Sequence, residues 1–216
     1  MTMCKEEPAK CQQCGHEQQF TVWDTINVTL NPELKEQYLK SELTTFVCEK
    51  CGCKAQVVYP MLYHDMGKRF MIWLAKEAEG QELDKLASFM AGQMKNYRFR
   101  EVHSRNELIE KIYIFDAGLD DRIVELLKLM LVTMMEEGDK EVGELRFERV
   151  EEENEEKTLI FVLLGNHAPK RTGLLFAAYD EVAARFADAL SDGGEDVGKY
   201  LRVDVKYANS LLAPPA

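Results

Sequence analysis

Cys11-Gln-Gln-Cys14-Gly15 and Cys48-Glu-Lys-Cys51-Gly52 stand in the first quarter of this chain. Two residues between cysteines let a tight turn aim both sulfurs at one metal. A following glycine takes a positive φ without a Cβ clash. Four thiolates from two such clips are the donor set of a tetrahedral Zn²⁺ site of the zinc-ribbon kind. Cys11, Cys14, Cys48 and Cys51 are therefore the expected ligands. They fill the tetrahedron and leave no position for water, so a structural ion is expected. Zn²⁺ with four thiolates carries two net negative charges, which Lys10, Lys50 and Lys54 flank. The rival reading is a pair of disulfides or free thiols, and a redox Cys-x-x-Cys is a weaker rival. Met1–Glu7 has no apolar core, so no secretory leader is expected, and a reducing, cytoplasmic setting favours the metal. Cys53, His16 and Cys4 are secondary candidates, with Cys4 placed in a polar, frayed terminus.

Outward from the clips, residues 15–47 separate them, more than the usual ribbon spacing of about 15–20. An insertion is expected there. Gln19–Trp23 and Ile26–Leu30 alternate as strands. Asn31-Pro32-Glu33 starts a short helix to about Leu39, with Asn31 as its cap. Thr44–Val47 leads into the second clip. Ala55–Leu62 and Arg69–Leu74 read as a hairpin around Tyr63-His64-Asp65-Met66-Gly67. Residues 1–75 thus form a zinc ribbon with an inserted helix, and residues 76–216 an α+β body. In the body, Leu83, Leu86, Ala87, Met90 and Met94 recur at helical spacing. Tyr97–His103 reads as a strand. Ser104 caps a helix that ends at Gly118, and Asp120 or Asp121 opens an apolar helix to about Glu137. Strands are expected at Leu145–Glu151, Thr158–Leu164 and Leu174–Ala177. Helices are expected from Asp180 to Leu190 and, after a last strand at Tyr200–Val203, from Asp204 to Leu212. The fold class is α+β with a small, mainly antiparallel sheet.

Composition narrows the partners. The chain has 216 residues, 46% apolar, and a net charge of −11. The charge grows from −1 over residues 1–75 to −6 over residues 138–216. A phosphate backbone needs a basic surface, so nucleic acid is disfavoured. No stretch approaches the ~20 apolar residues of a membrane span.

The first clip, Ile26-Asn27-Val28 to Asn31-Pro32-Glu33, the second clip, Tyr63-His64-Asp65, and Asn106–Ile112 running into Phe115–Asp121 together resemble the CpXC-domain family. That family is named for a Cys-Pro-x-Cys clip. Gln12 and Glu49 replace the eponymous proline here. The resemblance spans about residues 10–137. It implies a bacterial or archaeal, soluble zinc-ribbon protein, in a family with no assigned activity.

Candidate catalytic groups are few. His64 beside Asp65 is the best pair for acid–base work, with His103 as a third member. Adjacent residues of an extended segment point to opposite faces, so a structural role is the competing reading. Asp116, Asp120 and Asp121 could gather a cation or cap a helix. His167, Lys170 and Arg171 share a loop that could meet an anion. The expected function is a zinc-binding interaction or regulatory protein with a protein partner or a second copy of itself. The alternatives are a hydrolase or transferase with its site between ribbon and body near His64 and Asp65, and a thiol redox sensor.

Overall fold

A computed structural model describes residues 1–75, 94, 96–135, 143–165, 168–191 and 199–213. The α+β class holds. Two compact units divide the chain: Met1–Leu108 with Gly198–Tyr200, and Ile109–Val197 with Leu201–Ala216.

The first unit is built on a five-stranded sheet. Its strands are β1 (Met3–Lys10), β2 (Glu17–Asn27), β5 (Met61–Asp65), β6 (Phe70–Leu74) and β7 (Arg98–Val102), hydrogen-bonded in that order. β1 and β2 pair antiparallel, as do β5 and β6, while β2 runs parallel to β5 and β6 to β7. Between β2 and β5 the chain forms helix α1 (Glu33–Leu39), a 3-10 turn at Glu42–Thr44, and the ladder of β3 (Thr45–Val47) with β4 (Lys54–Gln56). Helix α1 and the 3-10 turn are the insertion expected between the clips. Ile26, Met61, Tyr63, Phe70 and Ile72 are fully buried in the sheet, and Tyr38 of α1 packs its ring 6.4 Å from that of Tyr63. Arg105 donates to the Tyr38 and Leu39 carbonyls at 2.6 and 3.2 Å. It thereby adds a donor to the Leu39 carbonyl and a second one to the Tyr38 carbonyl, which also accepts from Ser41 N–H.

Several local expectations change. Cys4 is not in a frayed terminus; it lies in β1 opposite Trp23. Asn31 does not cap α1. Pro32 takes that position, and the Asn31 side chain accepts from Thr2 Oγ1 at 2.8 Å. Ile26–Leu30 is not a separate strand, since β2 continues through Asn27 and then turns. Ala55–Leu62 splits, because β4 pairs with β3 whereas Met61 begins pairing with Leu74. Tyr63-His64-Asp65 is strand, and the hairpin turn occupies Met66–Arg69.

The second unit packs helices on a three-stranded antiparallel sheet in the order β10 (Lys170–Leu175), β9 (Glu156–Leu164), β8 (Glu144–Glu153). Helix α2 (Arg105–Asp116) begins in the first unit and continues into the second. Ser104 Oγ accepts from Glu107 N–H at 3.1 Å, as a capping residue should. Gly118 has φ +74 and closes the turn beyond α2. Helix α3 (Asp121–Met134) lies against α4 (Phe176–Arg185) and α5 (Val205–Leu212). Asp120 caps α3 through Arg122 N–H, and Asp204 caps α5 through Lys206 and Tyr207 N–H. Phe147 and Phe161 meet edge to face at 5.9 Å beneath them. The third strand expected at Leu174–Ala177 starts earlier and stops at Leu175, where α4 takes over. Tyr200–Val203 forms no strand beyond a bridge at Leu201. The helix expected around Leu83–Met90, the loop from Asp192 and the Pro-Pro tail lie outside the described residues.

Candidate metal centre

Each clip is the turn of a hairpin. The first joins β1 to β2 and the second joins β3 to β4. Cys11 N–H donates to His16 O and Cys48 N–H to Cys53 O, both at 2.8 Å. Gly15 N–H donates to Cys11 O at 2.9 Å and Gly52 N–H to Cys48 O at 2.8 Å. Both glycines sit at φ +70. The two turns are therefore the same device used twice.

Their sulfurs converge. The Sγ atoms of Cys11 and Cys51 are 3.7 Å apart, those of Cys14 and Cys48 3.6 Å, and all four lie within 4.8 Å of one another. A regular tetrahedron of sulfurs at about 2.3 Å from a central ion has edges of about 3.8 Å. The four cysteines can hold one metal ion. All six cysteines are free thiols.

Backbone N–H groups of Cys14 and Gln13 draw the Cys11 thiol down to about 6, against the cost of its burial. At Cys51 the N–H of Cys53 pulls the same way. There burial and the three neighbouring sulfurs prevail and push the thiol up to about 12. Four thiolates crowd one another, and a cation is what relieves that repulsion. Binding therefore releases protons.

A family model of the CpXC protein matches residues 9–128, over half of the chain and inclusive of both clips. The chain belongs to the CpXC family. No curated protein and no solved structure matches it. In this CpXC protein the turn geometry is held by the glycines and the backbone bonds, although Gln12 and Glu49 stand where the eponymous proline would be.

The support around the sulfurs was not visible as a motif. Gln18 on β2 donates to Val47 O at 3.0 Å and accepts from Glu49 N–H at 2.8 Å, tying the second clip to the first hairpin. Phe20 packs 6.1 Å from Phe46, beneath the buried Cys11 and Cys48. Cys53 borders this apolar patch. His16 contributes its carbonyl to the first turn, and the sulfur group does not include its ring. Of the flanking lysines, Lys10 pairs with Glu17 at 3.4 Å.

Among the described residues nothing lies within 4 Å of where a Gly52 side chain would begin, so the left-handed φ is what opposes a side chain there. Gly52→Ala should cost about 1–2 kcal/mol, read as a roughly tenfold loss of metal affinity in a chelator competition. Gly52→Asn should lose less, because asparagine tolerates this conformation. Equal, unmeasurable losses for both would show that the turn does not depend on the glycine.

The other candidate residues are dispersed. His64 faces Asn27 and Tyr97, whereas Asp65 accepts from Thr29 Oγ1 and Lys68 N–H. His103 Nε2 meets Glu101 Oε1 at 2.7 Å. His103 follows the far end of β7, and Tyr97 precedes the near one. Five strand residues at about 3.3 Å each separate those ends, so His64 and His103 serve different places. Asp120 is held by Arg122 at 2.7 Å and Asp121 by Lys111 at 3.0 Å. The expected loop of Lys170 and Arg171 is the start of β10, where Arg171 grips Glu148 with two bonds of 2.8 Å. His167 lies outside the described residues. Among the described residues, no helix is long and apolar enough to cross a membrane.

Proposed function

We propose that this CpXC protein binds one Zn²⁺ through Cys11, Cys14, Cys48 and Cys51, and that the ion is structural. The convergence of four sulfurs at tetrahedral spacing carries this reading. Thiolates select a soft or borderline cation, and four of them in this arrangement suit zinc. No open coordination position remains for a substrate or an activated water. The ion's work is then to lock two hairpin turns together.

The protein's role accordingly lies in the surface it presents, as an interaction or regulatory protein of a reducing, cytoplasmic compartment. Val47 and Val58 are exposed on either side of the second clip and offer apolar contact to a protein partner or a second copy. A net charge of −11 makes nucleic acid an unsuitable partner.

The test is cobalt substitution. The purified protein should contain one zinc per chain, and Co²⁺ exchanged into it should give the intense visible bands of a tetrahedral tetrathiolate. Azide or cyanide should leave those bands unchanged. A spectrum that shifts when such a ligand is added would mean an open, catalytic site and would overturn the reading.

A further inference from the structure

The end of the five-stranded sheet farthest from the clips gathers a second polar group. Asn27 ends β2, His64 stands near the end of β5, Arg69 precedes β6 and Tyr97 precedes β7. Asn27 is completely buried and His64 nearly so. The hydrogen bonds among them run in one direction.

Asn27 Oδ1 accepts from two backbone donors, Thr29 N–H at 3.1 Å and Leu30 N–H at 3.2 Å. Its amide cannot be turned round without losing both. The Asn27 NH₂ group therefore faces His64 Nδ1, at 3.4 Å, and donates to it. An Nδ1 that accepts carries no proton, so the proton of the neutral ring sits on Nε2. Nε2–H in turn donates to Tyr97 Oη at 3.3 Å. The hydroxyl oxygen accepts that bond, so its own O–H is left to donate to another acceptor.

The charges agree with this direction. Burial holds His64 down to about 4, helped by the positive α-amino group of Met1 and opposed by Asp65. The ring is neutral at physiological pH, as the Asn27 contact requires. Burial also raises Tyr97 above the ordinary phenol, opposed by Arg69 and supported by Asp65, so the hydroxyl keeps its proton. Tyr97 is a donor, not a base.

Arg69 stands beside it. The parallel pairing of Phe70 with Arg98, and the bond from Arg98 N–H to Arg69 O at 3.0 Å, bring residues 69 and 97 alongside each other. Arg69 has φ 57, a left-handed backbone that glycine would adopt without strain. Its side chain is exposed, and Tyr97 is half-buried.

We propose that the Tyr97 hydroxyl and the Arg69 guanidinium form a binding site for a carboxylate, with Asn27 and His64 fixing the hydroxyl as a donor. A hydroxyl donor next to a guanidinium fork suits an oxyanion. Asp65 lies close enough to affect Tyr97, and its negative charge disfavours a phosphate dianion relative to a monoanion.

Zinc-loaded, full-length protein labelled with ¹⁵N-histidine tests both parts. At pH 7 the His64 ring should show the neutral Nε2–H tautomer. Sodium acetate at millimolar concentrations should move its Nε2 signal saturably, with no such effect from sodium chloride at equal ionic strength. Sodium phosphate should bind more weakly than acetate. Tyr97→Phe should weaken acetate binding about tenfold or more. If that variant does not fold, Arg69→Gln at the exposed position should show the same loss. A protonated or Nδ1–H ring, a response to acetate that chloride reproduces, tighter phosphate binding, or unchanged acetate affinity in the variant that folds would each overturn the proposal.

Discussion

Cys48→Ser should abolish metal binding and loosen the clip end of the first unit, the largest effect expected of any single substitution in this protein. Cys48 is almost completely buried, and its sulfur is 3.6 Å from that of Cys14. A serine hydroxyl is a poor zinc donor, and the remaining three thiolates would repel one another around an incomplete shell. Structural zinc sites contribute roughly 10–16 kcal/mol of apparent binding free energy at neutral pH, much of it realised as folding. Not all of that is lost as global stability. β2 stays paired with β5 at Thr25–Asn27, and β5 with β6 along its whole length. The damage should concentrate where β1 and β2 approach the first clip and in the short β3–β4 ladder, which has three residue pairs to hold it. Hydrogen exchange should show these amides unprotected while the β8–β9 ladder keeps its protection. Metal analysis should find no bound zinc. A variant with full metal content and an unchanged melting temperature would refute the clamp.

Lys111→Met should destabilise the second unit by about 3–5 kcal/mol. Lys111 is 2% exposed and Asp121 is 0% exposed. The ammonium group reaches Asp121 Oδ2 at 3.0 Å, Glu125 Oε1 at 3.5 Å and the Val203 carbonyl at 2.7 Å. Lys128 Nζ continues the chain to Glu125 and to Glu110, each at 3.0 Å, and Glu110 accepts from Phe147 N–H at 2.7 Å. The network thus ties α2, α3, β8 and the segment before α5. Burial raises Glu125 above the ordinary carboxylate, and Lys111 and Lys128 counteract it. Methionine fills the volume of the lysine stem but removes the 3.0 Å ion pair from the fully buried Asp121 carboxylate. Pairing Lys111→Met with Asp121→Asn removes that charge and should recover part of the loss. Denaturant midpoints for the two single variants and the double variant would measure this coupling. Strict additivity of the two losses would show that the pair does not interact.

The parts legible in the sequence were those with local chemistry. The clips announce themselves because two cysteines at this spacing, followed by a glycine at positive φ, fix a tight turn locally. Ser104, Gly118, Asp120 and Asp204 mark element ends because capping is decided within three or four residues. β1 was not legible, since Met3–Lys10 is almost wholly exposed and has no apolar alternation to signal a strand. Its pairing with β2 follows from the turn that the first clip makes. The break within Ala55–Leu62 depends on which partner each half finds, and no local pattern encodes that. The Asn27, His64 and Tyr97 relay was hidden for the same reason. Its members are 37 and 33 residues apart, and only the sheet topology makes them neighbours. His64 and Asp65 drew attention by adjacency, yet each serves different partners.

β2 has eleven residues, with the first clip just before it and Asn27 as its last member. Asp24 is an extra residue between the pairs Cys4–Trp23 and Met3–Thr25, so the phase set at Glu17 reaches Asn27 through one bulge. Point changes on the outer face of this strand leave that phase intact. Loss or gain of one residue would rotate Asn27 away from His64 while shifting Gln18 and Phe20 against the second clip. Length, more than composition, is what descendants of this chain must preserve between Glu17 and Asn27.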